Sequence, residues 1–287
     1  MNLVTGGHGF LGRHFCEMID CEAPPRIDCG LESISSCMDV TRGAESVYHL
    51  AADVGGIEYL KENPAGIFYK NLIMGLNMLE ASRINGVNSV VLVGSVCEYP
   101  EGVPMREGNL NRGEPVKDTE GYGWAKRTLF NAGEMYRKQY GMRVLHPIFT
   151  NLYGPGDGSS HVVAQLVRKF CEAKKSGDGV VDVWGNGEAT RDLLHVSDAA
   201  RMLKEASEQY YGSAINLATG VETTIRELAE TIAWACDFTG KIRFVDGPVG
   251  EKRRKIDVSK AISCGIKADT DFKEGIQETV DWYKEMT

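Results

Sequence analysis

The sequence predicts an α/β protein: a Rossmann-type, doubly wound parallel sheet with a smaller, discontinuous C-terminal substrate domain. Three observations carry that prediction. A short apolar strand near the amino terminus runs into GGHGFLG and then into an amphipathic helix. Strand-like and helix-like segments alternate through the first half, which calls for a parallel sheet with helices on both faces. A later apolar strand, VVLV at 90–93, meets a glycine and then presents Ser95 and Cys97 at its carboxyl end. In an open parallel sheet, ligands bind at that end.

The bulk numbers narrow the function. A chain of 287 residues suffices for one large α/β domain or two unequal ones. Its 43% hydrophobic and 25% charged residues are ordinary for a soluble globular protein. A formal net charge of −8 argues against nucleic acid or an anionic membrane as the main partner, while leaving room for a local basic pocket. The longest apolar runs are strand-length, so no membrane span is expected. The amino terminus enters a strand at once, which leaves no room for a signal peptide. Eight cysteines carry no C-x-x-C pair and no Cys/His ligand spacing. Neither a disulfide scaffold nor a metal site is expected, and the simplest setting is reduced thiols in a cytoplasm.

In chain order, the first strand spans 3–5. Gly6, Gly9 and Gly12 follow it, with Phe10 and Leu11 opening the helix. The first glycine permits a tight turn, the second lets backbone approach a pyrophosphate, and the third allows close helix–strand packing. Placed between strand and helix, the triplet reads as a dinucleotide site. Pro24 and Pro25 leave only 26–29 for the second strand. Asp28 at its end would bind the adenosine ribose hydroxyls and favour NAD, whereas Arg26 would meet the 2′-phosphate of NADP. The cofactor is therefore NAD or NADP, with a lean to NAD. Asp39 and Val40, and then Leu50, Ala51 and Ala52 after a strand beginning at Ser46, are assigned to the same cofactor side. The loop AADVGGI brings small residues where backbone can approach a ligand.

A long helix is expected over 63–85, with Pro64 in its first turn. The 90–93 strand follows, and then a helix over 122–140 that opens with YGWAK. Tyr122 and Lys126 stand four apart, on one helical face. A nearby ammonium lowers a phenol's pKa by ~1–3 units, toward the range useful for acid–base work. A strand over 143–153 leads into TNLYGPGD, where Asn151 faces the ligand side. His161 lies near the start of the next helix, with Ser159 or Ser160 as its cap, and Arg168 and Lys169 continue it. Beyond it come a strand holding Trp184, a glycine turn, Arg191, a helix from about Ser197, a last parallel strand at 214–218 and a capping box at Thr224–Glu227. Lys252 to Lys255, with Arg253 and Arg254 between them, form the most basic run in an acidic chain. The dinucleotide-binding domain is read as 1–155 and 191–218, and the substrate domain as 156–190 and 219–287.

With GGHGFLG, Ser95, Tyr122 and Lys126 in this order, the chain resembles an extended short-chain dehydrogenase/reductase of the nucleotide-sugar epimerase/dehydratase group. DVGGI, GSVCEYP, TNLYGPGD followed by SSHVV, WGNGEATRDLLHV and NLATGVETTIRELAETIA make it similar to the GDP-L-fucose synthase family and, more distantly, to GDP-mannose 3,5-epimerase. The resemblance implies a nucleotide-sugar 3,5-epimerase/4-reductase acting on a GDP-4-keto-deoxyhexose. It implies that Ser95, Tyr122 and Lys126 handle the proton while hydride moves at sugar carbon 4, and that Cys97 and His161 are the epimerisation pair. Asn151, Arg168, Trp184, Arg191, Arg253 and Arg254 would hold the nucleotide sugar. A homodimer built on the 63–85 and 122–140 helices is implied as well. The sequence departs from the family in three places. His8 stands where the fucose synthase loop usually has arginine, the region around the second strand is unusually short, and GSVC replaces GSSC, so that Val96 removes a hydroxyl beside the substrate. A redox-neutral GDP-sugar epimerase with tightly bound NAD is the second reading, and a non-catalytic dinucleotide-binding module the third.

Overall fold

A computed structural model of the chain describes residues 1–25, 30–158, 161–209, 212–247 and 255–287. Strand β1 (Asn2–Thr5) lies inside the main sheet, with β2 (Cys21–Glu22) paired on one side and β3 (Ser46–His49) on the other. Outward from β3 come β4 (Ser89–Leu92), β6 (Arg143–Phe149) and β11 (Ala214–Leu217), every pair parallel. The short β5 (Gly94–Ser95) pairs with the end of β6.

Successive residues on these strands point to opposite faces, as the pleat requires. Leu3, Val47, Val90 and Val144 join one apolar layer with Cys37, Met78, Leu79 and Leu129. Their neighbours Val4, Tyr48, Val91 and Leu145 join another with Phe15, Ala199 and Leu203. Helices α2 (Ile34–Val40), α4 (Pro64–Ile84) and α5 (Glu120–Tyr140) cover the first face. Helices α1 (Phe10–Cys16) and α7 (Val196–Gln209) cover the second. The sheet is doubly wound.

The second strand differs from expectation. Residues 26–29 lie outside the described chain, and the segment that pairs with β1 is Cys21–Glu22, ahead of the two prolines. Helix α1 ends after 7 residues, so the chain returns to the sheet early. Pro24 and Pro25, without N–H groups, cannot extend the ladder. Residues 143–153, read as one strand, are two. Thr150 Oγ1 donates to Asp192 O at 2.8 Å, and β7 (Asn151–Tyr153) leaves the main sheet to pair with β10 (Leu193–His195).

A further apolar core forms around α6 (Val162–Ser176), α8 (Ile225–Ala235) and α10 (Phe272–Met286). It gathers Leu166, Phe170, Leu228, Ile232, Ile276 and Val280 against Val181 and Val183 of β8 (Val180–Trp184), which pairs with β13 (Lys241–Val245). Helix α8 starts on the expected capping box, with Thr224 Oγ1 accepting from Glu227 N and the Glu227 carboxylate accepting from Thr224 N. Among the described residues, no helix is long and apolar enough to cross a membrane.

Candidate active site

The sheet order reverses between β1 and β3, since β1 is followed in sequence by a neighbour on one side and later by β3 on the other. Doubly wound sheets bind ligands at the carboxyl ends flanking such a switch point. Gly6 leaves β1 there with a φ of +75°, and a side chain on it would overlap the backbone of Ala51, just after β3. A side chain at Gly12 would overlap the Gly6 carbonyl. The cap of α1 is Gly9, which offers no side-chain bond, so the helix opens on bare backbone N–H groups. Phe10 and Leu11 begin that helix, and the backbone of Leu50 and Ala51 closes on Gly6 from the other side, with Ala52 leading on to the Tyr122 cluster. This backbone-only cradle fits a dinucleotide pyrophosphate.

Three residues beyond β4, the chain makes a tight turn that sets Ser95 and Cys97. Ser95 Oγ accepts the Cys97 N–H at 3.3 Å, which leaves the hydroxyl proton free to be donated. Helix α5 docks against this turn through Gly123, where a side chain would overlap the Cys97 carbonyl. The same docking brings Tyr122 into an apolar cluster with Leu60 and Ile67, bordered by Ala52 and Cys97. Lys126 Nζ donates to Val93 O at 2.8 Å and stands 5.6 Å from the centre of the Tyr122 ring.

The electrostatics of the pair correct the sequence expectation. Tyr122 is pushed up, not down: burial is the main cause, and the neighbouring Cys97 and Glu98 add to it. Burial also brings Lys126 down to about 8, against the opposing pull of Glu98. The ammonium lies over the ring face and is bonded to a carbonyl, and desolvation of both groups outweighs their mutual attraction.

In front of this turn opens a cleft of about 380 Å³. Cys97, Asn151, His161, Trp184 and Arg191 all line it. His161 is the exposed N-cap residue of α6, taking the place that Ser159 or Ser160 was expected to fill; those two serines lie outside the described residues. Asn151 Nδ2 donates to Asp192 O at 3.1 Å. Trp184 carries the Lys169 ammonium 5.2 Å from its ring centre, and Lys169 also lines the cleft.

Other expected site residues lie elsewhere. Arg168 points to Tyr283 of α10 and is not on the cleft wall. Asp39 and Val40, expected on the cofactor side and not in this cleft, end α2, where Asp39 is paired at 2.8 Å with Arg42 and Val40 packs against the apolar layer. Val96 is 4% exposed and packs with Tyr99 and Ile148, so the side chain that replaces a hydroxyl in GSVC faces the core and not the cleft. Asp28, Arg253 and Arg254 lie outside the described residues.

Comparison with known proteins agrees with this geometry. The profile of the NAD dependent epimerase/dehydratase family matches residues 2–218. The chain belongs to that family. Within the epimerase/dehydratase family, the chain is 35% identical over 258 residues to GDP-L-fucose synthase of Escherichia coli (strain K12), covering 84% of this chain and 80% of that protein. It is 26% identical over 278 residues to GDP-mannose 3,5-epimerase of Arabidopsis thaliana, covering 95% of this chain and 73% of that one. A GDP-L-fucose synthetase from Naegleria fowleri, solved bound to NADP, superposes with a TM-score of 0.89 at 28% identity, covering 99% of this chain and 92% of that one.

The epimerase/dehydratase cleft also holds residues that the sequence did not single out: Glu58, Tyr59, Thr119, Gln165 and Asn186. For Gln165 a signal existed. His161, Gln165 and Lys169 recur every fourth residue, so they share one face of α6, whereas Arg168 turns away. Thr119 caps α5 at the end of a short 3-10 helix and Asn186 lies between two glycines after β8, and nothing in their local sequence announces a ligand.

Proposed function

We propose that the chain is a GDP-sugar 3,5-epimerase/4-reductase acting on a GDP-4-keto-deoxyhexose. One observation carries the proposal: Cys97 and His161, 64 positions apart by their numbering, line a single cleft, and Cys97 also borders the Tyr122 cluster. A ketone at sugar carbon 4 acidifies the protons on carbons 3 and 5. Inverting either centre needs one group to remove a proton and another to deliver one to the opposite face. A thiol and an imidazole, with intrinsic pKa values of ~8.5 and ~6.5, flank neutrality and suit the exchange.

Gly6, Gly9 and Gly12 would hold the pyrophosphate of a nicotinamide dinucleotide, which when bound would supply the hydride for carbon 4. Tyr122, kept a phenol by burial, gives the proton to the carbon 4 oxygen, and the Ser95 hydroxyl donates a hydrogen bond to that oxygen. Arg191, Lys169 and the exposed Trp184 ring provide charge and a stacking surface for a nucleoside diphosphate. We assign 1–155 and 191–218 to the dinucleotide and 156–190 and 219–287 to the nucleotide sugar, with Arg253 and Arg254 as further diphosphate contacts. On Asp28 we lean to NAD; a kcat/KM higher with NADPH than with NADH overturns that lean. We propose a reducing cytoplasm as the chain's setting, since the eight cysteines carry no C-x-x-C pair. We also propose a homodimer through α4 and α5.

Incubation with the keto sugar and reduced dinucleotide in heavy water tests the proposal. Deuterium is expected at carbons 3 and 5, with one dinucleotide oxidised per sugar. Cys97→Ser and His161→Asn are expected to cut deuterium uptake about 100-fold or more, and Tyr122→Phe to cut dinucleotide oxidation by a similar factor. Dinucleotide oxidation without deuterium removes the epimerisation role from Cys97 and His161. Deuterium uptake without oxidation makes the enzyme a redox-neutral epimerase.

A further inference from the structure

Behind the Ser95–Cys97 turn lies a buried pair that the scheme above leaves unused. Glu98 is fully buried, and His146, on β6, is 3% exposed. His146 Nε2 lies 2.9 and 3.1 Å from the two carboxylate oxygens of Glu98. One of those oxygens also accepts the Ser95 N–H at 2.7 Å. The Glu98 carbonyl accepts from the Arg127 guanidinium. Gly94 makes room for the pair, because a side chain there would overlap both Glu98 Oε1 and His146 Nε2.

The hydrogen bonds indicate where the charge sits. His146 Nδ1 meets no partner among the described residues, and the Phe130 ring lies 5.3 Å from the imidazole. A proton on Nδ1 would be buried without an acceptor, so the ring donates from Nε2 and both carboxylate oxygens accept. A buried carboxylate needs an opposite charge close by. Lys126 supplies it. Its ammonium bonds Val93 O while the Glu98 carboxylate bonds Ser95 N, so the two charges grip one strand end on either side of Gly94.

We infer that Glu98, steadied by His146, is a positioning residue that pins the Ser95–Cys97 turn and supplies the counter-charge keeping Lys126 an ammonium and Tyr122 a phenol. Among the described residues, the ionisable groups facing Glu98 are His146 from β6, Tyr122, Lys126 and Arg127 from α5, and Tyr99 from its own turn. His49, on β3, faces Lys126 from the other side. At Tyr122 the Glu98 charge adds to burial, and at Lys126 it opposes burial; in both cases it favours the protonated form. That bias suits proton delivery, the direction of a reductase.

This inference rests on Tyr122 and Lys126 being the proton-handling pair, and the experiment separates the two ideas. Turnover of the keto sugar by the unsubstituted chain, and its loss in Tyr122→Phe, decides the pair. For Glu98, the Glu98→Gln variant keeps an acceptor for Ser95 N and removes the charge. The alkaline limb of its kcat/KM profile for reduction is expected to move down by about one pH unit. His146→Gln keeps a donor and leaves the charge, so its limb stays in place. An unmoved limb in Glu98→Gln, or an equal shift in both variants, overturns the inference. A second measurement needs no substrate. Lys126→Met is expected to lower Tm in the Glu98 chain and to lower it less, or to raise it, in the Glu98→Gln chain. Additive changes overturn the coupling. If Glu98→Gln alone fails to fold, the double variant is expected to fold, and its failure to do so also overturns it.

Discussion

At the scale of single residues, desolvation decides the chemistry of this site more than any pairwise attraction. Tyr-x-x-x-Lys was legible in the sequence, and so was the shared helical face of Tyr122 and Lys126. The sign of the phenol's shift was not, because a spacing of four says nothing about what surrounds the two groups. His49 illustrates the same rule and gives a prediction that needs no substrate. Burial, reinforced by the Lys126 charge, lowers its pKa from 6.5 to about 3, and Thr5 Oγ1 lies 2.8 Å from its Nδ1. The folded state therefore resists a proton that the unfolded chain accepts. The contribution to stability is complete above pH 6.5 and is lost as pH falls toward 3. Urea unfolding across that window should show a decline that His49→Gln flattens. Parallel curves for the two proteins would exclude His49 as its source.

At the scale of elements, the site depends on helix α5 seating itself against the strand-end turn. Gly123 is the contact, and a methyl group there would strike the Cys97 carbonyl. Gly123→Ala is expected to shift Tyr122 relative to Ser95 by several tenths of an ångström. Turnover should fall by about 100-fold, while dinucleotide affinity, proposed to rest on the separate Gly6–Gly12 turn, should stay within about twofold. Unchanged kcat in Gly123→Ala would show that the docking tolerates the extra carbon. A glycine inside YGWAK reads in the sequence only as a residue that weakens a helix; its role is visible only once the neighbouring backbone is in place. Helix α8 is the opposite case. Thr224 and Glu227 announce their capping box in sequence, and the bonds form as expected. Thr224→Ala should cost about 1 kcal/mol in denaturant unfolding.

At the scale of the whole molecule, two apolar clusters meet around the cleft: Leu60 and Cys97 come from the small cluster around Tyr122, and Leu166, Val183 and Ile225 from the core of α6, β8 and α8. Helices α4 and α5 expose several large apolar side chains. Tyr69 is 60% exposed, Ile84 46%, Met135 65% and Tyr140 46%. A helix face with this many exposed large side chains suits the proposed two-fold contact between copies. Met135→Glu is expected to convert a dimer into a monomer in sedimentation experiments without loss of helical signal. An unsubstituted chain that sediments as a monomer would end the dimer proposal.

Local signals were enough for the alternation of strands and helices, the glycine turn at residue 6, the strand end at Ser95 and the Tyr122/Lys126 face. Each depends on a period or a turn a few residues long, and such patterns survive in a linear chain. The tertiary structure alone decided that Cys97, Asn151, His161, Trp184 and Arg191 share one cleft, that Arg168 and Val96 do not, and that Glu98 and His146 meet beneath the Ser95–Cys97 turn. The last two are 48 positions apart. Packing brings such distant residues together, and it also sets the burial that fixes their charges; neither is written in any local stretch of sequence.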